Sequence, residues 1–78
     1  MYVYVKLFSR FRQHLPREAR GQATVELPDG ATVQHLLDHL GIAGRVQLIA
    51  VNGEPNAERQ RTLQDGEEVR IFPVVVGG

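Results

Sequence analysis

The sequence closes on Pro73-Val74-Val75-Val76-Gly77-Gly78, a run in which no side chain is reactive and the chemistry on offer is a backbone carboxylate. Glycine usage of about 7% makes a chance Gly-Gly at that place about a 0.5% event, so a chemical reading is worth following. Without Cβ atoms, Gly77 and Gly78 let the backbone enter a narrow channel and come close to a nucleotide. A free Gly78 carboxylate can attack ATP to form an acyl-adenylate, and a sulfur donor can then displace AMP. From Pro73 onward the chain spans at most about 20 Å, enough to reach into another protein's active site. Val74, Val75 and Val76 favour extended backbone that can pair along a partner's groove.

The side chains offer little that competes. There is no cysteine, which removes disulfides, thiolate catalysis and cysteine-ligated metals. Sulfur handled by this chain cannot ride on a thiol. His35 and His39 stand at i and i+4, a spacing that can hold a metal. Leu36-Leu37-Asp38 between them lacks a catalytic glutamate, and no third ligand is evident, so a solvated helix face and no metal are expected. Arg10, Arg12, Arg17 and Arg20 form a basic cluster. Nine basic and nine acidic residues nevertheless cancel to a net charge of zero, without the basic footprint of a nucleic-acid binder. The cluster reads as a charged loop that assists docking. Lys6 is the single lysine, which leaves few amines for branched conjugates of the chain with itself.

The elements that must carry such a tail follow from hydrophobic periodicity. Tyr2 to Ser9 alternates as a strand, with Val3, Val5 and Leu7 on one face and Tyr2, Tyr4, Lys6 and Phe8 on the other. Arg10 to Gly21 is polar and broken by Pro16, a loop with a helical turn around Phe11 and Leu15. Gln22 to Pro28 is a second strand with Ala23, Val25 and Leu27 inward, closed by Asp29-Gly30. Thr32 can cap a helix whose Val33, Leu36, Leu37 and Leu40 fall on one stripe, and Gly41 can end it. Val46 to Val51 is a near-continuous apolar run that reads as a central strand, with Leu48 and Ala50 inward. Asn52-Gly53 predicts a tight turn, and Glu54 to Thr62 a short edge strand plus loop. After Asp65-Gly66, Glu67 to Phe72 is the last strand, with Val69 and Ile71 inward and Phe72 outward. Pro73 removes a backbone donor and loosens the pairing.

With 78 residues the chain has room for one domain and one core. Hydrophobic residues at 42% suit a folded chain, and no apolar run approaches the roughly 20 residues of a membrane span. Met1-Tyr2-Val3-Tyr4 reads as a strand and not as a signal peptide, so a cytoplasmic protein without membrane partners is expected. The order strand, strand, helix, strand, short strand, strand implies an α+β fold, one helix on one face of a mixed sheet with the other face open. The expected division is a domain over residues 1–73 and a flexible tail over 74–78.

These pieces, in this order, resemble the MoaD/ThiS family of sulfur carriers over nearly the whole chain. The resemblance is carried by Val5-Lys6-Leu7-Phe8 and Phe11-Arg12, by Asp29-Gly30-Ala31-Thr32-Val33, and by Ala50-Val51-Asn52-Gly53-Glu54. It continues in Leu63-Gln64-Asp65-Gly66-Glu67-Glu68-Val69 and in Ile71-Phe72-Pro73 before Gly77-Gly78. Phe72-Pro73 and the long first loop look most like the small subunit of molybdopterin synthase, although Val74 stands where that branch often has a second proline. The resemblance implies a β-grasp, or ubiquitin-like, fold with four to five strands, in which the first and last strands are parallel neighbours. Phe8 and Phe72 would then form a partner-binding patch on the open face, continued by Pro73 to Val76; the alternative is that one or both tuck under a loop.

The resemblance further implies that a ubiquitin-activating-type adenylyltransferase uses ATP on Gly78. A sulfur donor system would supply the sulfur, and an acceptor such as the molybdopterin synthase large subunit would receive it. The chain itself would bind no cofactor and would not be an enzyme alone. Carriers for thiamine, cysteine or thiolated RNA, and protein modifiers joined to target lysines through Gly78, use similar chemistry.

Overall fold

The computed structural model describes residues 1–43 and 46–74. Strand β1 runs Tyr2–Leu7, β2 Gln22–Glu26, helix α1 Val33–Leu40, β3 Val46–Val51 and β4 Glu68–Pro73. The strands form one mixed sheet in the order β2-β1-β4-β3. β1 pairs antiparallel with β2 and parallel with β4, Leu7 standing opposite Ile71. β3 pairs antiparallel with β4, Leu48 opposite Phe72 and Ile49 opposite Ile71. Two short 3₁₀ segments, Ser9–His14 and Arg17–Ala19, fill the long first loop.

The core lies between the helix and one sheet face. Val33, Leu36 and Leu37 are fully buried on the helix stripe, against Val3, Val5, Val69 and Ile71 from the two central strands. Leu40, at the stripe's end, is only half-buried. Phe11 and Leu63 also enter the core, each from outside the four strands. Burying this many side chains at about 1.5–3 kcal/mol each supplies the main drive to fold.

The helix ends are both closed. The Thr32 hydroxyl accepts from the His35 N–H, and the Thr32 N–H donates back to His35 Nδ1 at 3.0 Å, a reciprocal cap with histidine in the usual glutamate place. Val33 and Gln34 donate their otherwise unpaired N–H groups to the carbonyls of Arg61 and Arg59. At the other end Gly41 takes a left-handed conformation, φ 74, which glycine adopts without a steric penalty.

Three expectations change. The run Val46–Val51 is an edge strand of the sheet, not a central one; β1 and β4 are central. Its apolar density has another cause: segment 54–57 lies along its outer side, with the Ala57 N–H donating to the Ile49 carbonyl. The sequence reading puts Leu48 and Ala50 inward, but register with β4 turns Ile49 and Val51 to the helix and puts Leu48 and Ala50 on the open face. An unbroken apolar run carries no period-2 signal, so only pairing could set its phase. Finally, the edge strand expected between Glu54 and Thr62 is reduced to single bridges, Val51 with Glu54 and Thr32 with Thr62. Its backbone serves the helix N-terminus instead.

Candidate functional site

Strand alternation sends Tyr2, Tyr4 and Lys6 of β1 to the face opposite the helix, and Phe8 follows in phase just beyond the strand's end. On β4 the same face receives Glu68, Arg70 and Phe72. Because β1 and β4 are parallel neighbours, Phe8 and Phe72 meet: their rings stack with centroids 4.2 Å apart and planes 11° from parallel. The Phe8 N–H donates to the Ile71 carbonyl at 3.3 Å, holding the strand end in place beneath the rings. Both rings are half-buried, and Leu48, opposite Phe72, is half-buried beside them.

The rest of the open face is amphipathic. Tyr2 and Tyr4 are each 51% exposed at the opposite end. Between the two aromatic ends runs a charged strip. Arg70 donates to Glu68 at 2.7 Å, and that hydrogen bond holds the Glu68 carboxyl below its ordinary range. Lys6 stands opposite Arg70 and adds to the same depression.

At the aromatic end β4 stops. Pro73 is buried and still pairs with Val46, so the donor it lacks does not end the strand before it. Val74 follows half-buried, its carbonyl accepting from the Arg10 guanidinium at 2.7 Å. Ser9 (φ 54) turns the chain away from β1 and into the 3₁₀ segment that carries Arg10. Val75, Val76, Gly77 and Gly78 lie outside the described residues. The fold therefore places the stacked phenylalanines, Pro73 and Val74 at one end of the sheet, where the chain continues towards Gly78.

A family model described as the ThiS family matches residues 5–78. The chain belongs to the ThiS family. It is ubiquitin-like, and among the described residues its four-stranded mixed sheet with one main helix is the β-grasp architecture. A Pyrococcus furiosus protein described as molybdopterin converting factor, subunit 1, is 32% identical over 96% of this chain and 99% of its own, with a TM-score of 0.72. SAMP1 from Haloferax volcanii, 23% identical with all of both chains covered and a TM-score of 0.74, shares the fold. So does a chain of the Helicobacter pylori complex of subunits 1 and 2 of molybdopterin-converting factor, at 21% identity, full coverage of both chains and a TM-score of 0.65. No curated protein matches the sequence.

Other candidate residues fall outside this site. His35 is engaged in the helix cap, and among the described residues no cluster of three histidine, cysteine or acidic side chains could hold a metal. No helix of the described residues is long and apolar enough to cross a membrane. Arg12, Arg17 and Arg20 line a shallow groove between the 3₁₀ segments and Gly21.

Three features went unread in the sequence. Leu48 joins the phenylalanines, and the Arg10 contact to Val74 spans 64 residues, beyond any local signal. The third is Glu67, a buried acid whose carboxylate accepts from Arg61 at 3.0 and 3.1 Å, from the Gln64 N–H at 2.7 Å and from Asn52 at 3.0 Å. It had a signal: Glu67 is in phase with inward Val69 and Ile71.

Proposed function

We propose that this chain is a cytoplasmic sulfur carrier in which residues 1–73 form the recognition domain and residues 74–78 the working tail. A ubiquitin-activating-type adenylyltransferase docks on the Phe8–Phe72 face and draws the tail into its nucleotide site. The Gly78 carboxylate attacks the α-phosphate of ATP, pyrophosphate leaves, and the acyl-adenylate forms. A sulfur donor system then displaces AMP, leaving a thiocarboxylate on Gly78. The chain needs no cofactor of its own, since ATP belongs to the partner and the sulfur is cargo. Its contribution is geometric: a rigid sheet face that is recognised, and a narrow tail that two glycines keep free of side chains.

The acceptor we favour is the large subunit of a molybdopterin synthase, in which the carrier acts as small subunit and its sulfur builds a dithiolene on a pterin precursor. The observation that carries this reading is the 32% identity to a molybdopterin converting factor subunit 1 across nearly the whole of both chains. The Helicobacter pylori complex of subunits 1 and 2 supports a large-subunit partner for that fold.

The test is intact-mass detection of adenylate and thiocarboxylate after incubation with the activating enzyme, ATP and a sulfur donor. The native chain should gain the adenylate and then exchange one oxygen for sulfur. A chain lengthened by one residue after Gly78 should gain neither, because displacement by about 1 Å can already cost a hundredfold and a whole residue is farther. Its thermal midpoint should be unchanged. Equal activation of the lengthened chain overturns the carrier reading. Isopeptide-linked Gly-Gly remnants on other proteins, with no thiocarboxylate, would make it a modifier.

A further inference from the structure

The tail's root is tied down by one side chain. Among the described residues, β4 has no strand neighbour on the β1 side past Ile71, because the pairing with β1 ends at Leu7. Val74 would leave the sheet with its carbonyl free to turn. Arg10 supplies the donor instead: Nη1 is 2.7 Å from the Val74 oxygen. Arg10 is itself well placed to hold still. Its guanidinium lies 5.6 Å over the ring of Phe11, and Phe11 is 4% exposed, anchored in the core. A planar guanidinium resting on a fixed ring loses less freedom on forming a hydrogen bond than a free surface arginine would.

We propose that Arg10 is a positioning residue for the tail, fixing the direction in which the chain leaves the sheet towards Gly78. This rests on the carrier reading above. A partner that grips the Phe8–Phe72 face holds the carrier body, and Gly78 must then find the nucleotide from that fixed point. A root pinned at Val74 leaves four residues to be placed rather than a longer, freely pivoting segment. The hydrogen bond thereby acts on productive insertion after docking, while the stacked phenylalanines act on docking itself. Losing one such bond should slow the step it serves about three- to tenfold.

Two variants separate the donor from the stem. Arg10→Met keeps an aliphatic chain over Phe11 and removes every donor; Arg10→Lys keeps a donor. By NMR, the Val74 carbonyl carbon shift should move in Arg10→Met and largely return in Arg10→Lys, with both variants folded and thermal midpoints within about 4–8 °C of the native one. In steady-state adenylation, Arg10→Met should lower kcat about three- to tenfold with KM unchanged, and Arg10→Lys should recover most of the loss. A rise in KM at constant kcat would make Arg10 a docking contact and overturn the proposal. So would native kcat in a variant whose Val74 shift has moved, or a Val74 shift that never moves. If the native chain is never adenylated while the Val74 shift still responds to Arg10→Met, the carrier reading fails and the tether is structural only.

Discussion

Two phenylalanine rings 4.2 Å apart stabilise one another, and the proposed docking role would fall on the same pair, so substitution must be read with both in mind. Each ring is half-buried by the other, so the stack contributes about 0.5–1.5 kcal/mol to stability beyond the area it covers. Its outer faces, with Leu48 alongside, are the apolar end of an otherwise tyrosine-rich and charged sheet face, the composition of an anchor point in a protein interface. Phe72→Ser should therefore weaken binding to the activating enzyme or to the acceptor by about 2 kcal/mol or more, roughly thirtyfold in Kd, while the chain remains folded. Titration of folded Phe8→Ser, Phe72→Ser and the double variant against the partner checks this. Native affinity in the double variant would remove the docking role. A double variant that unfolds would assign the pair to the core.

At the scale of elements, helix α1 carries the largest single-residue dependence. Leu37 is fully buried on the stripe facing β1 and β4, so Leu37→Ala leaves a cavity and should cost about 2–5 kcal/mol, a large part of the stability of so small a domain. Thr32→Ala removes one half of the reciprocal cap and should cost about 1 kcal/mol. Denaturant midpoints measure both, and a Leu37→Ala variant as stable as the native chain would contradict the packing. The same elements show why some of the structure was legible and some was not. Val3, Val5, Leu7, Val69 and Ile71 alternate with polar partners, and Val33, Leu36 and Leu37 recur at helical spacing; these patterns declare their faces. The phase of β3 does not, because Leu48, Ile49, Ala50 and Val51 are all apolar and only pairing with β4 decides which look inward. Thr32 announced a cap, but its partner did not, since histidine at the third helical position can serve as acceptor only in one ring orientation and tautomer. The meeting of Phe8 with Phe72 on the open face was readable from alternation once the strands were set parallel. Its tether at Arg10 required the whole fold.

Across the whole molecule, one buried acid links parts that the sheet alone does not. Glu67 receives Arg61 in a two-pronged ion pair, the Gln64 N–H, and the amide of Asn52 in the tight turn after β3. Asn52 in turn accepts from the Glu68 N–H at 2.9 Å. Loop 59–62 is thereby fixed at both ends, since its carbonyls cap α1 and its Arg61 side chain reaches the start of β4. The hydrogen bonds from Arg61 hold the Glu67 carboxyl below its ordinary range, opposed by burial and reinforced by the Gln64 N–H. A carboxyl depressed in the folded state binds fewer protons there than in the unfolded chain, so stability rises with pH through the interval between the two values. Its contribution is complete above the unfolded value of about 4.3 and fades as pH falls towards the folded one. Glu67→Gln keeps the shape but loses the charge. At neutral pH it should cost about 1–3 kcal/mol, with Arg61 partly compensated by water because its side chain is 38% exposed. The gap should narrow as the native carboxyl is protonated in acid, from about pH 4 downward. Urea midpoints of the native chain and the variant, taken from about pH 7 to about pH 2.5, read this directly. Parallel curves across that range would mean that Glu67 holds the loop by shape alone, and curves that diverge in acid would place its carboxyl above its ordinary range.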